Sequence, residues 1–192
     1  MRAPLVSGRA GRACLWAGLG DQRREDEDGV VTDFEIREAT PDDVPDLIRL
    51  VRALAAYERE PDAATATPAQ FATALFPDDG DPTAYSLVAE REGAVVGMAL
   101  WFRSFSTWTG QAGIWLEDLF VEPDQRGHGI GAALLSRLAA ICVEHGWTRL
   151  EWTVLDWNTP SIEFYRSRGA TALEEWTTHR VDGDALHRLS GA

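Results

Sequence analysis

The sequence predicts a three-layer α/β domain built on a central mixed, largely antiparallel sheet. Three observations predict it. Strand-like and helical stretches follow one another as β-α-α-β-β-β-α-β-α-β-β, without the repeated βαβ units of a doubly wound fold. Glu92-Gly93, between the apolar stretches Tyr85–Arg91 and Ala94–Phe105, is a hairpin signal that makes two of the strands antiparallel. Leu116–Leu135, LEDLFVEPDQRGHGIGAALL, passes from an apolar strand through a glycine-rich turn directly into an amphipathic helix.

Residues 1–32 stand apart. They are rich in glycine, alanine and arginine and end in the mixed-charge run DQRREDEDG, which reads as a disordered arm before a domain spanning 33–192. The apolar core Ala13–Leu19 is too short for a signal peptide. Phe34-Glu35-Ile36-Arg37 then alternates as a half-buried strand does. Thr40-Pro41-Asp42-Asp43 supplies an N-cap, a proline and an acidic first turn. Val44, Leu47, Ile48, Val51, Leu54 and Ala55 carry one apolar face to Tyr57-Glu58. Thr67-Pro68-Ala69-Gln70 is a capping box that opens a short helix to about Leu75. After the loop 76–82 and the hairpin, Ile114–Val121 is a strand, and the helix behind the glycines runs to about His145, with Gly146 as its cap. Arg149–Leu155 is β-branched and aromatic and predicts a strand. A short helix, Pro160–Arg168, stops at Gly169; Leu173–Val181 is expected as a last strand, with a helical turn towards Leu189.

The composition narrows the function. Across 192 residues, 45% are apolar and 26% charged, which describes a globular chain. The net charge is −13, so a nucleic-acid partner is not expected, whereas a cationic small molecule would be drawn in. No apolar run is long enough to span a membrane. Cys14 and Cys142 lie far apart and the four histidines are scattered, so no metal is expected and a cytoplasmic setting is the default.

Chemistry concentrates in the glycine turn. Glycines between a strand and a helix let backbone N–H groups converge where the helix dipole also favours an anion, and Arg126 adds a fixed positive charge. A Walker loop needs a lysine, and the chain has none. A dinucleotide fingerprint, Gly127-x-Gly129-x-x-Ala132 with Glu151 downstream, can be written, but it falls mid-chain after a hairpin. Arg126-x-x-Gly129-x-Gly131 resembles the pyrophosphate loop of the GNAT acetyltransferases, [Q/R]-x-x-G-x-[G/A], which also follows a strand carrying LEDLFV.

A second stretch narrows the resemblance. Glu151–Ala170, EWTVLDWNTPSIEFYRSRGA, is similar to the diamine (spermidine/spermine) N-acetyltransferases and their bacterial relatives, as are Ala56-Tyr57-Glu58, Phe105–Gly110 and Leu116–Val121. The similarity runs from about Ile36 to the C-terminus. It implies a GNAT domain that moves an acetyl group from acetyl-CoA directly to the primary amine of a small cation: a diamine, a polyamine or a thialysine-like amino acid. It also implies a homodimer.

Carried over residue by residue, Tyr165 corresponds to the general acid, and its place three positions after Ile162 lets its ring face inward. Strand alternation puts Glu117 and Asp118 on opposite faces, and the resemblance selects Glu117 as the residue at the amine, either as the base that takes its proton or as its ligand alone. Leu119, Phe120 and Val121 are expected to offer backbone N–H groups to the thioester carbonyl if the strand bulges. Arg126, Gly127, His128, Gly129, Ile130, Gly131 and Ala132 are expected to hold the pyrophosphate, and Asn158, Pro160 and Ser161 the pantetheine arm. Tyr57, Glu58, Glu151, Trp152 and Thr153 are expected at the substrate. The other readings are a non-catalytic acyl-CoA binder, for which Tyr165 and Glu117 would be superfluous, and a nucleotide-dependent oxidoreductase.

Overall fold

The computed structural model describes residues 33–191, so the expected arm, 1–32, lies outside the described residues. Its elements are β1 (Phe34–Glu38), α1 (Val44–Tyr57), α2 (Pro68–Leu75), β2 (Tyr85–Arg91), β3 (Ala94–Ser106), β4 (Gln111–Val121), α3 (Ile130–Glu144), β5 (Leu150–Glu151), α4 (Thr159–Ser167) and α5 (Gly183–Ser190). One sheet holds the strands in the order β1-β2-β3-β4-β5. The first four pair antiparallel, and β4 pairs with β5 in parallel. This is the mixed, largely antiparallel sheet between helices that the sequence predicts.

Local chemistry starts the first two helices where expected. The Thr40 N–H donates to Asp43 Oδ2 at 2.7 Å, and Arg37 of β1 grips the same carboxylate at 2.7 and 2.8 Å. Arg37 also donates to Glu90 of β2 at 3.0 Å, so one guanidinium ties β1, β2 and the start of α1. Before α2, the Thr67 N–H donates to Gln70 Oε1 at 2.8 Å, closing the predicted capping box.

The two faces of the sheet carry separate cores. Ile130, Leu134, Leu138 and Ile141 of α3 pack on Ala99, Trp101, Ile114 and Leu116. On the other face, Leu47 and Leu50 of α1 pack on Val88, Met98, Leu100 and Phe120. Each such large apolar side chain contributes about 1.5–3 kcal/mol by leaving water.

Two expected strands need correction. Arg149–Leu155 is strand only at Leu150–Glu151, paired with Ile114 and Trp115. Leu173–Val181 forms no strand; every residue from 171 to 191 is exposed, and among the described residues no neighbouring strand completes its backbone hydrogen bonds. The helix behind it, α5, is a full eight residues rather than one turn.

The strand carrying the acids is not regular. Leu100 pairs with Asp118 but Trp101 pairs with Leu116, which leaves Glu117 as the extra residue of a β-bulge. Leu116 sits in the α3-side core, whereas Phe120 sits in the α1-side core. The bulge resets the alternation between them, so Glu117 and Asp118 both face α1. The expectation that they point to opposite faces fails here, because alternation holds only for an unbroken ladder.

Candidate active site

A cleft of about 760 Å3 lies where the chain leaves β5 while β4 continues. The end of α1, the bulged half of β4, the start of α3, residues 152–155 and α4 all line it. It brings together Tyr57, Glu58, Glu117, Leu119, Phe120, Val121, Arg126, Gly127, Gly129, Ile130, Gly131, Ala132, Trp152, Thr153, Asn158, Pro160, Ser161 and Tyr165, all singled out from the sequence.

Two expected residues stay out of the cleft. The exposed side chain of His128 has its Nδ1 3.3 Å from the carbonyl oxygen of Gln125. Glu151 is held by Arg149 at 2.8 Å. Conversely, Asp118, Phe164, Arg168 and Arg180 line the cleft without having been assigned to it. Phe164 and Arg168 were legible as the i+3 and i+7 neighbours of Ser161 on one helix face. Arg180 had no signal, since its place depends on the path of an irregular segment.

The glycine turn is shaped for an anion. Gly127 and Gly129 both have φ +85°, a left-handed conformation that side chains rarely adopt. Among the described residues no side chain caps the N-terminus of α3, so the first N–H groups of the helix, Ile130 to Ala132, lie at the cleft without a capping oxygen. The residues present therefore fit a pyrophosphate. Arg126 stands beside them. Its Nε donates to the Val121 carbonyl at 3.0 Å, and its guanidinium lies 4.9 Å from the ring centre of Tyr57 and 5.6 Å from that of Phe120.

Backbone direction along β4 matters equally. The Glu122 N–H donates to Val96 of β3, so alternation turns the N–H groups of Val121 and Leu119 to the opposite edge, towards the cleft. Phe120 points its amide at β3 instead and offers the cleft only its ring.

Three carboxylates share the cleft. Burial, then the nearby Glu117 and Glu58, push the Asp118 carboxyl up to about 6. Burial also raises Glu58. Glu117 is exposed and accepts a hydrogen bond from the Trp115 indole at 3.1 Å. The phenol of Tyr165 is pushed up to about 12, first by burial and then by Glu58. Its ring packs between Trp152 and Phe164, with centroids 4.7 and 5.2 Å away. A phenol in this state keeps its proton at neutral pH and can donate it, while a carboxyl near 6 is ionised at neutral pH and can accept one.

The model of the Acetyltransferase (GNAT) family matches residues 48–170. A thialysine N-epsilon-acetyltransferase of Bos taurus is 35% identical over 167 residues, covering 81% of this chain and 96% of the relative. The spermidine/spermine N(1)-acetyltransferase-like protein 1 of Homo sapiens is 35% identical over 163 residues, 80% of this chain and 23% of that protein. Among solved structures, an integron cassette protein from the mobile metagenome of V. cholerae superposes with a TM-score of 0.70 at 28% identity, covering 83% of this chain and 99% of its own. A family match through both cores and the cleft, together with relatives aligned along about four-fifths of the sequence, shows that this chain belongs to the GNAT acetyltransferase family.

Proposed function

We propose that this acetyltransferase moves an acetyl group from acetyl-CoA to the primary amine of a small cation: a diamine, a polyamine or a thialysine-like amino acid. The observation that carries the reading is one cleft lined both by an anion cradle and by Glu58, Glu117 and Asp118. A cofactor with phosphates at one end and an amine substrate ask for these opposite features side by side. The relatives named for thialysine and for spermidine/spermine support the same substrate class.

Acetyl-CoA, when bound, supplies the acetyl group as a thioester. The N–H groups of Ile130–Ala132 and Arg126 would hold its phosphates, and Asn158, Pro160 and Ser161 would border its pantetheine arm. The N–H groups of Leu119 and Val121 would polarise the thioester carbonyl. Glu58 and Glu117 attract the ammonium form of the substrate. Glu117, exposed at the bulge, is the amine ligand, and Asp118 beside it takes the proton that frees the amine lone pair. Tyr165 would give its proton to the sulfur as the carbon–sulfur bond breaks, and the second proton, lost by the newly acylated nitrogen, would restore the phenol. Its raised pKa makes it a hydrogen-bond donor across physiological pH, and a cation beside Glu58 lowers that pKa by cancelling the nearby negative charge.

We infer a homodimer as well, supported by the uncovered apolar side chains of the C-terminal segment, among them Leu173, Trp176 and Leu189. A cytoplasmic setting is supported by the free, buried thiol of Cys142.

The direct test is release of coenzyme A thiol from acetyl-CoA with spermidine, putrescine, thialysine, lysine and a basic peptide. Release with a small amine, lost in Tyr165→Phe, is expected. Measurable acetyl-CoA binding with no release from any amine would remove the assignment.

A further inference from the structure

Tyr57 was expected at the substrate, yet both of its functional surfaces are already engaged by protein. Its hydroxyl donates to Asn158 Oδ1 at 2.9 Å. One ring face carries the guanidinium of Arg126, with Cζ 4.9 Å from the ring centre. The ring also meets Trp157 at 6.1 Å, and Trp157 in turn carries the guanidinium of Arg59 at 4.4 Å.

These contacts join three segments that the sequence keeps far apart. Arg126 belongs to the turn that offers N–H groups to an anion. Asn158, only 5% exposed, is the N-cap of α4, where its Oδ1 also accepts the Ser161 N–H at 3.4 Å. Helix α4 carries Tyr165 two turns further on. Tyr57 therefore stands between the cation of the phosphate turn and the cap of the helix that holds the thiolate's proton donor. Arg126 uses its Nε on the Val121 carbonyl and its face on Tyr57, which leaves its two Nη groups to point along one fixed edge.

We infer that Tyr57 is a positioning residue, which registers Arg126 against α4 so that the phosphate-binding and proton-donating ends of the cleft keep a fixed separation. The inference rests on the acetyl-CoA reading above and reassigns one residue within it. The aromatic ring and the hydroxyl do different work. The ring sets the arginine, and the hydroxyl sets the helix. The buried Asn158 oxygen is shared, so losing the phenol leaves the cap with one partner in place of two. Displacements of about 1 Å in such a scaffold cost on the order of a hundredfold in rate when they reach the reacting atoms.

The test separates the two surfaces. In Tyr57→Phe, the ring remains under Arg126 while the hydroxyl is lost. The expected result is a fall in kcat of about tenfold, with the amine KM and the acetyl-CoA Kd each held within about twofold. In Tyr57→Leu, both are lost, and the coenzyme A Kd rises about tenfold as well. Asn158→Ala combined with Tyr57→Phe is expected to lower kcat no more than about twofold beyond Asn158→Ala alone, because the two residues act through one hydrogen bond. A rise in amine KM at unchanged kcat in Tyr57→Phe would place Tyr57 on the substrate and overturn the inference, as would wild-type kinetics in both variants. If the wild-type protein acetylates none of the amines, the proposed function fails on its own. The coenzyme A Kd values of Tyr57→Phe and Tyr57→Leu still decide whether the ring positions Arg126. Thermal melts separate a folding defect in Tyr57→Leu from a binding one, and Tyr57→Phe keeps the ring packing that folding uses.

Discussion

Trp152 packs its indole against the phenol ring of Tyr165, with centroids 4.7 Å apart and planes inclined at 46°. The contact fixes the ring through its apolar body and leaves the hydroxyl as the only group that Tyr165→Phe removes. That variant should keep the wild-type melting temperature to within a few degrees and lose about a hundredfold or more in kcat. The raised phenol also predicts that kcat/KM, which reports the free enzyme, shows no loss of the acid through neutral and mildly alkaline pH. A stopped assay across pH, with melts alongside, checks both. Near-wild-type kcat in the variant would take the acid role from Tyr165.

Asp118 ties activity to stability in opposite directions. Its folded-state carboxyl titrates near 6 against an ordinary value of 3.8. A raised carboxyl binds its proton more tightly in the folded state, so its contribution is present below about pH 4 and is lost as pH climbs through 6. The cost of ionising it at neutral pH is about 3 kcal/mol. Asp118→Asn should therefore melt higher than wild type at pH 7.5 and nearly level with it at pH 4, while its turnover falls. Melting curves at the two pH values are sufficient, and a lower melting temperature at pH 7.5 would contradict the cost assigned to the buried charge.

The glycine turn separates backbone need from space. Gly129→Ala places a side chain at φ +85°, where nothing lies within 4 Å of the added carbon, so the cost is conformational and comes to about 1–2 kcal/mol. At Gly131, φ is ordinary and the added carbon meets Phe164 and Val121 at 3.7 and 3.8 Å, which is normal contact. Gly131→Ala should thus be close to neutral in denaturant titrations, and Gly129→Ala clearly shifted. Equal shifts would mean that the conformation at Gly129 is not what the turn depends on.

Acid resistance should depend on Asp43. The Arg37 guanidinium, foremost, holds its carboxyl down at about 2, against 3.8 when unfolded. A lowered carboxyl contributes above pH 4 and is lost as pH falls through about 2, a contribution of about 2 kcal/mol. Asp43→Asn should lower the melting temperature at pH 7 and make it far less sensitive to acid below pH 4. An unchanged acid limb would place the acid-sensitive group elsewhere.

Local chemistry was legible in the sequence because it closes within a few residues. The caps at Thr40 and Thr67, the hairpin at Glu92-Gly93 and the spacing of Arg126, Gly129 and Gly131 depend on neighbours that the sequence puts side by side. Asp118 was misplaced because the bulge at Glu117 is a property of β4 against β3, and periodicity within one strand cannot contain it. The extent of β5 was overestimated for a related reason: Thr153, Val154 and Leu155 have strand-like side chains but no partner backbone. Leu173–Val181 has β-branched and aromatic residues among its charged ones and the same lack. Family resemblance found most of the cleft, while the engagement of Tyr57 by Arg126 and Asn158 needed three dimensions to be seen.

The shortness of β5 has a thermodynamic consequence. Among the described residues, Ile114–Leu150 and Trp115–Glu151 are the pairs along that edge, and beyond them β4 shows the cleft a ladder of backbone groups with no described strand beside it. A ligand bearing amides at peptide-like spacing, as an acyl-pantetheine does, can lie there as though it were another stretch of chain. Binding and completion of the sheet then become one equilibrium. At a hundredfold excess over its Kd, such a ligand adds about 2.7 kcal/mol to stability. The unliganded domain and the working one are then two proteins of different robustness encoded by the same residues.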